Sequence, residues 1–151
     1  MSVRLLDVNV LIALLDSAHV HHEAAVRWFR SGAVREGWAS TPITENGFIR
    51  IVSHLSYPNI RLTPALACEA LDRFKRGFPK AYQFWPDEVT LSDGALFDLT
   101  QLTGAQQVTD VYLAGLAFRK NGRMATLERN LAWQAVRGAQ PGLIERIPVA
   151  Q

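Results

Sequence analysis

Four acidic residues stand where a carboxylate could take part in chemistry. Asp7 directly follows a short apolar run, and Glu45 lies about one turn into a helix that a Thr-Pro pair opens. Asp110 opens a further helix, and Glu128 comes two residues after another apolar run. The neighbours of all four are largely apolar or small, whereas most other acidic residues lie among polar neighbours. We therefore treat these four carboxylates as one candidate set.

Carboxylates gathered without a countercharge repel one another, so some must protonate or move apart. A bound divalent cation removes that cost and becomes the largest charge in the site. The donors are hard oxygens and the chain has one cysteine, so Mg²⁺ or Mn²⁺ suits them better than zinc. Such an ion polarises a phosphoryl oxygen and lowers the pKa of bound water. The set therefore predicts phosphodiester hydrolysis.

Each acid also has a structural alternative. Asp7 could cap the helix that follows it, and Asp110 could favour the positive end of its helix dipole. Glu128 could be a solvated loop residue. The capping-box alternative does not suit Glu45, because the N3 position of its helix falls one residue earlier. All four acids map to one edge of the predicted sheet, and this coincidence favours a shared site.

The elements that must position these acids alternate between strand and helix. The predicted strands are Val3–Leu6, Gly37–Ser40, Ala81–Trp85, Arg123–Thr126 and Leu143–Ile147. The predicted helices are Val10–Leu15, His22–Arg35, Pro42–Val52, Pro64–Arg76, Asp93–Thr100 and Val111–Lys120, with Asn9, Thr41, Thr63 and Ser92 before four of them as N-caps. This order indicates an α/β fold, a three-layer sandwich around a mainly parallel sheet of four to five short strands. Ligands bind beyond the carboxyl ends of such strands, which is where the acids fall.

Length and composition narrow the class of protein. The 151 residues fit one domain, and 48% hydrophobic with 20% charged residues is ordinary for a globular chain. The single cysteine, Cys68, suits a reducing compartment. The opening residues lack the layout of a signal peptide, and no window of ~18 residues is apolar enough to span a membrane. We expect a soluble cytoplasmic protein.

Taken in order, four segments of the chain resemble the VapC-type PIN domain. They are Leu5-Leu6-Asp7-Val8-Asn9-Val10-Leu11, Thr44-Glu45-Asn46-Gly47-Phe48, Thr109-Asp110-Val111-Tyr112-Leu113-Ala114-Gly115-Leu116-Ala117 and Ala125-Thr126-Leu127-Glu128-Arg129. No single motif is specific, but the ordered set with this spacing is strong. The resemblance covers nearly the whole chain and implies a single PIN domain over residues 1–151.

The resemblance implies a metal-dependent endoribonuclease, the toxin half of a bacterial toxin–antitoxin pair. It further implies a homodimer that cuts structured RNA, such as tRNA or ribosomal RNA. A VapB-type antitoxin would neutralise it through a C-terminal segment that wraps the groove. The implied cofactor is Mg²⁺, with Mn²⁺ as an alternative.

By position, the resemblance makes Asp7, Glu45 and Asp110 the catalytic acids that hold the metal. Glu128 stands where the family usually has aspartate, and its extra methylene could turn direct ligation into water-mediated contact. Two residues, Asn9 and Thr126, fit as hydrogen-bonding residues that orient the acids or a water. Their alternatives are a helix N-cap and a strand-end threonine.

Arginines near the acids are candidates for RNA contact. Arg129 borders the presumed groove, and Arg50 follows Glu45 on the same predicted helix. Thirteen of the sixteen basic residues are arginine, whose planar fork pairs with phosphate through two hydrogen bonds. The alternative is that a GC-rich genome encodes arginine freely.

Three rival interpretations stay open. An aspartyl-phosphate phosphatase or dehalogenase would use Asp7 as nucleophile, but the chain has Asp7-Val8-Asn9 where the phosphatases have Asp-x-Asp, and its lysines lie on or beside helices. A zinc site would draw on His19, His21, His22 and His54, yet no cysteine or carboxylate pattern completes it. A catalytically weak PIN-like module that binds RNA or protein gains some support from Glu128.

Overall fold

A five-stranded parallel sheet forms the centre of the protein, in a computed structural model that describes residues 2–150. The strands are β1 Arg4–Leu6, β2 Trp38–Ser40, β3 Tyr82–Phe84, β4 Arg123–Thr126 and β5 Ile144–Arg146. The helices are α1 Val8–Leu15, α2 His22–Trp28, α3 Val34–Glu36, α4 Pro42–Val52, α5 Pro64–Arg76 and α6 Val108–Arg119. Strand order is β3-β2-β1-β4-β5, and every pairing is parallel. The predicted α/β class with a sheet of short parallel strands is confirmed.

Helices cover both faces of this sheet. Neighbouring residues of a strand point to opposite faces, and here both faces carry buried apolar side chains. Leu6 and Trp38 belong to the core that α1, α2, α4 and α5 close. Leu5 and Met124 belong to the core that α6 closes. A cluster of aromatic rings, Phe29, Trp38, Phe74, Phe78 and Tyr82, fills the space between α5 and the sheet. The result is the expected three-layer sandwich.

Of the four predicted N-caps, two are confirmed and two are wrong. Thr41 and Thr63 are the N-caps of α4 and α5, each followed by proline. The prediction of Asn9 as N-cap of α1 is wrong, because Asp7 holds that position and its carboxylate accepts the backbone N–H of Val8. Asn9 is the second residue of α1, and its side chain hydrogen-bonds the Thr126 hydroxyl and the Leu127 N–H.

The predicted helix Asp93–Thr100 with Ser92 as its cap is wrong. Turns occupy this stretch, Phe97 forms an isolated bridge with Val136, and a 3₁₀ turn covers Leu99–Gln101. The carboxylates of Asp93 and Asp98 each accept a backbone N–H two residues later. Such local bonds compete with the helical ladder and favour turns.

Two further helices differ in detail from the prediction. The segment predicted as helix His22–Arg35 is helical throughout, but Phe29–Ala33 is π-helical and separates α2 from α3. Helix α6 begins at Val108, so Asp110 is its third residue. None of the helices within residues 2–150 is long and apolar enough to cross a membrane.

Candidate active site

Asp7 lies at the carboxyl end of the central strand β1 and is 6% exposed. Its Oδ1 accepts the Val8 N–H at 2.8 Å, and its Oδ2 accepts the Thr126 hydroxyl at 2.8 Å. Burial raises the pKa of Asp7 and the charge of Glu128 adds to this, while the two hydrogen bonds act in the opposite direction. The net result is a carboxyl group whose ionised form is disfavoured unless a positive charge approaches.

Asp110 approaches the same region from α6, which covers the opposite face of the sheet from α1. Burial, followed by the charges of Asp7 and Glu128, raises the pKa of Asp110 to about 6. Like charges shift one another's pKa in this way only when they lie close together. The charges of Asp7 and Glu128 thus reach Asp110, and we refer to Asp7, Asp110 and Glu128 as the acidic group beyond the ends of β1 and β4.

Thr126 connects members of this group at the end of β4. Its hydroxyl oxygen, which donates to Asp7, also accepts the backbone N–H of Glu128 at 3.1 Å. The side-chain NH₂ of Asn9 donates to the same oxygen at 3.4 Å, and the side-chain oxygen Oδ1 of Asn9 accepts the Leu127 N–H at 3.3 Å. Thr126 and Asn9 thus lie where the sequence places them, beside the acids. Their orienting role stays a prediction.

Glu45 differs from the other three acids in its hydrogen-bond partners. Its Oε2 accepts the Ser40 hydroxyl at 2.5 Å, the Lys75 ammonium at 3.0 Å and the Tyr82 hydroxyl at 3.3 Å. These partners belong to β2, α5 and β3, on the far side of β1 from β4. The charges that raise the pKa of Asp110 are those of Asp7 and Glu128. Glu45 therefore stands at the border of the acidic group rather than within it.

Sequence reasoning missed the three partners of Glu45. Lys75 lies 30 residues further along the chain on another helix, and no motif or spacing marks it. Ser40 and Tyr82 lie in strands and read as ordinary strand residues. A polar residue at the end of an otherwise apolar strand was the one available signal, and it applies to Ser40, which is fully buried.

The donor chemistry of the acidic group suits a hard divalent cation. No ion pair within residues 2–150 includes Asp7, Asp110 or Glu128, so their charges are not balanced by lysine or arginine. In the same part of the chain, no three His, Cys, Asp or Glu side chains are arranged as they stand to hold a metal ion. The carboxylates would have to turn toward an incoming ion, and Mg²⁺ or Mn²⁺ stays a prediction.

Two cavities flank the acidic group and share Glu128, Arg129 and Asn130. The first, of about 440 Å³, is also lined by Asn9, His19 and His21. The second, of about 460 Å³, extends toward Trp133 and Arg146. Arg129 therefore borders the site, as predicted from sequence.

Arg50 lies apart from this group. It lines a cavity of about 760 Å³ together with Asn46, His54 and Pro64, and that cavity contains none of the four acids. The structure therefore does not bring Arg50 together with Arg129.

Comparison with known proteins gives closely similar relatives. The chain is 43% identical over 136 residues to Ribonuclease VapC44 of Mycobacterium tuberculosis, an alignment that covers 89% of this chain and 92% of that protein. It is also 43% identical over 141 residues to Ribonuclease VapC39 of the same species, covering 93% and 96% of the two chains. No protein-family model matches the chain.

Among solved structures, the chain is similar to one of VapBC2 from Rickettsia felis bound to a DNA fragment from their promoter. The TM-score is 0.62 at 16% identity, with 95% of this chain and 98% of that chain covered. At this identity the likeness concerns the fold, and it agrees with the parallel sheet and its helical layers.

Proposed function

This chain belongs to the VapC ribonuclease family, and from that premise we propose that it is an endoribonuclease that uses Mg²⁺ or Mn²⁺. The observation that carries the metal proposal is the acidic group of Asp7, Asp110 and Glu128. Burial and neighbouring carboxylate charges raise the pKa of Asp7 and of Asp110, and no lysine or arginine of the described chain is paired with the three acids. Glu45 would join the ion from the border of the group, as the fourth acid of the set.

The bound ion would supply a Lewis acid for a phosphoryl oxygen and a water of lowered pKa. The chain's own residues would place the reactants. Thr126 holds Asp7 in one orientation, and Asn9 ties α1 to the loop that carries Glu128. Arg129, which borders both flanking cavities, would contact RNA phosphates on either side of the acids.

We extend the proposal to partners. The substrate would be a structured RNA, with tRNA and ribosomal RNA as the classes that the family resemblance favours. A VapB-type antitoxin would neutralise the enzyme, in line with the VapBC2 complex of similar fold. A homodimer is the proposed state of the free toxin.

A catalytically weak binding module is the second candidate, and one observation favours it. Glu45 is already paired with Lys75, and the acids within residues 2–150 are not drawn together around one point. If these contacts persisted in solution, the chain would bind RNA or protein without hydrolysis. The aspartyl-phosphate alternative gains nothing from Lys75, since its ammonium bonds Glu45 rather than Asp7.

Cleavage of total small RNA in Mg²⁺ or Mn²⁺ tests the first proposal, with new ends mapped by sequencing. Wild type is compared with Asp7→Asn, and Asp72→Asn serves as the matched control because Asp72 forms an exposed pair with Arg76 on α5. We expect discrete cuts that need metal, persist in the control and vanish in Asp7→Asn. Equal patterns for wild type and Asp7→Asn would favour the binding module.

A further inference from the structure

We propose that Lys75 is a positioning residue for Glu45. Together with Ser40 and Tyr82 it holds one carboxylate oxygen, Oε2, and leaves Oε1 for the cation. The inference rests on the proposed metal site. Its basis is that all three hydrogen bonds to the Glu45 side chain reach the same oxygen, at 2.5, 3.0 and 3.3 Å. Within residues 2–150, no hydrogen bond reaches Oε1.

The packing of α5 places Lys75 at this point. Ala67 and Leu71 are buried on the inner side of the helix, and Phe74 packs its ring against Trp38 at 5.1 Å between centroids. Trp38 begins β2, the strand that ends at Ser40. The residue after Phe74 is thereby brought over the sheet, where its ammonium also lies 5.5 Å from the centre of the Tyr82 ring.

The surroundings hold Lys75 and its partner in place. The Lys75 ammonium donates to Glu45 Oε2 at 3.0 Å. The two side chains are 20% and 19% exposed. A charged donor and two hydroxyls on one oxygen leave the carboxylate little freedom to rotate. Its ordering cost is then met before a ligand arrives.

A competing interpretation is that Lys75 occupies Glu45 in place of the cation. The geometry argues against it, because a lysine that acted only as a counterion would not require two neutral donors on the same Glu45 oxygen. Ser40 is fully buried and its hydroxyl also contacts the Tyr82 hydroxyl at 2.7 Å. The three donors thus form a connected group that orients the carboxylate, with the second oxygen left open.

Binding of Mn²⁺ to the full-length chain, measured by electron paramagnetic resonance, tests the inference without RNA. Lys75→Met removes the ammonium and keeps an unbranched side chain, while Lys80→Met changes an exposed lysine outside any ion pair of the described chain. We expect the Mn²⁺ dissociation constant to rise about 10-fold in Lys75→Met, a typical effect of losing a residue that orients a ligand. The Lys80→Met control should bind like wild type.

A double-substitution cycle separates positioning from general stability. If Lys75 acts through Glu45, Lys75→Met should add nothing to the loss of Mn²⁺ affinity caused by Glu45→Gln. An equal further loss in that background would overturn the inference, because Lys75 would then act elsewhere. Unchanged binding in Lys75→Met would also overturn it, and tighter binding would overturn it and identify the lysine as a competitor of the cation.

Two controls keep the outcome interpretable. Wild type that binds Mn²⁺ while Asp7→Asn does not would support the metal site itself, so an unchanged Mn²⁺ affinity in Lys75→Met would then count against the positioning role only. Wild type that binds no Mn²⁺ would overturn the proposed site together with the inference. If Lys75→Met does not fold, Tyr82→Phe removes a second donor to the same oxygen, and unchanged Mn²⁺ affinity there would overturn the orienting group.

Discussion

The hydroxyl of Thr126 donates a hydrogen bond to Asp7 Oδ2 at 2.8 Å and so joins the carboxyl ends of the neighbouring strands β1 and β4. Both residues are buried. The same hydroxyl oxygen accepts the backbone N–H of Glu128 at 3.1 Å. One side chain thus fixes the orientation of one acid and the course of the backbone that carries another.

Replacing Thr126 by valine should therefore impair catalysis more than its small change in shape suggests. Valine keeps the shape and removes the hydroxyl, leaving Asp7 Oδ2 without its donor. We expect RNA cleavage to fall about 10- to 100-fold, as is typical when a residue that orients a metal ligand is lost. The free energy of unfolding should fall by about 1–3 kcal/mol, because the buried Asp7 Oδ2 loses its donor and the Glu128 N–H loses its acceptor.

Thr126→Ser is the matched control, since serine retains the hydroxyl and loses one methyl group. Its cleavage rate should stay well above that of the valine variant, and chemical denaturation of both variants shows whether either is unfolded. A valine variant that cleaves RNA at the rate of wild type would mean that the Val8 N–H alone is sufficient to place Asp7.

Asp110→Asn should stabilise the metal-free protein. Burial and the charges of Asp7 and Glu128 raise the pKa of Asp110 to about 6, so its ionised form is less favourable in the folded than in the unfolded chain at neutral pH. Removing the charge removes that penalty, and the Tm in EDTA should rise. Asp98→Asn is the contrasting control, because the Thr100 hydroxyl lowers the pKa of Asp98.

Bound Mn²⁺ should reverse the order of the two Tm values and make wild type more stable than Asp110→Asn. Saturating Mn²⁺ stabilises a chain that binds it in the folded state, by about 2.7 kcal/mol at 100 times the dissociation constant. Wild type should gain Tm on addition of Mn²⁺, whereas Asp110→Asn should gain little, so thermal scans with and without the ion check both claims. A Tm for wild type that does not respond to Mn²⁺ would contradict the proposed site.

Much of the fold could be predicted because its signals are local. Thr41-Pro42 and Thr63-Pro64 mark helix starts by fixing backbone angles, and the Thr63 hydroxyl also accepts the Leu66 N–H. Both starts are confirmed. The sequence predicts the start of α6 at Val111, three residues after the observed start at Val108. The Gln107 side chain accepts the N–H groups of Thr103 and Gly104 and so begins a helical turn upstream. Local side-chain bonds also explain why Asp93–Thr100 is not a helix.

The candidate site could be predicted only in part, for a physical reason. Asp7 and Glu128 follow strands, and parallel strands bring their carboxyl ends together whatever the details of packing. The partners of Glu45 depend on how α5 docks against the sheet, which is decided by the aromatic cluster around Trp38 and Phe74. The spacing of residues along the sequence does not reveal how α5 docks, so Lys75 could not be predicted as a partner of Glu45.

Glu128 offers a test of how a carboxylate reaches the ion. Glu128→Gln removes the charge and should lower RNA cleavage, with a loss smaller than that of Asp7→Asn because Glu128 is exposed and more freely solvated. Glu128→Asp keeps the charge but withdraws the carboxylate by about one bond length, which changes a direct contact into a water-mediated one or the reverse. We expect the aspartate variant to stay within about tenfold of wild type.

Single-turnover cleavage of a mapped substrate gives these rates. If Glu128→Asp lost as much activity as Glu128→Gln, the length of the side chain would matter, and this result would favour direct ligation by Glu128. Mn²⁺ affinities of both variants separate a defect in metal binding from one in the chemical step.

Asp16 should make the stability of the protein depend on acid pH. It caps the C-terminal end of α1 and accepts hydrogen bonds from the Tyr57 hydroxyl, from Asn59 at 2.7 Å and from the Ala18 N–H at 3.0 Å. Burial raises the pKa of Asp16, but these hydrogen bonds outweigh it, and the pKa ends below 3.8. A lowered folded-state pKa contributes stability above the unfolded value, and that stability is lost as pH falls through the folded value.

Asp16→Asn should therefore lower the free energy of unfolding at pH 7, by about 1–3 kcal/mol, since the Tyr57 hydroxyl, the Asn59 amide and the Ala18 N–H lose a charged acceptor. The difference from wild type should shrink as pH falls below about 4, where the unfolded chain takes up the proton, and should be lost once pH falls through the lowered folded-state pKa of Asp16. Urea denaturation of both chains between pH 7 and pH 3 measures this, and Tyr57→Phe should show the same trend with a smaller loss. Parallel stability curves across the whole range would show that the charge of Asp16 does not hold the 57–59 segment against α1.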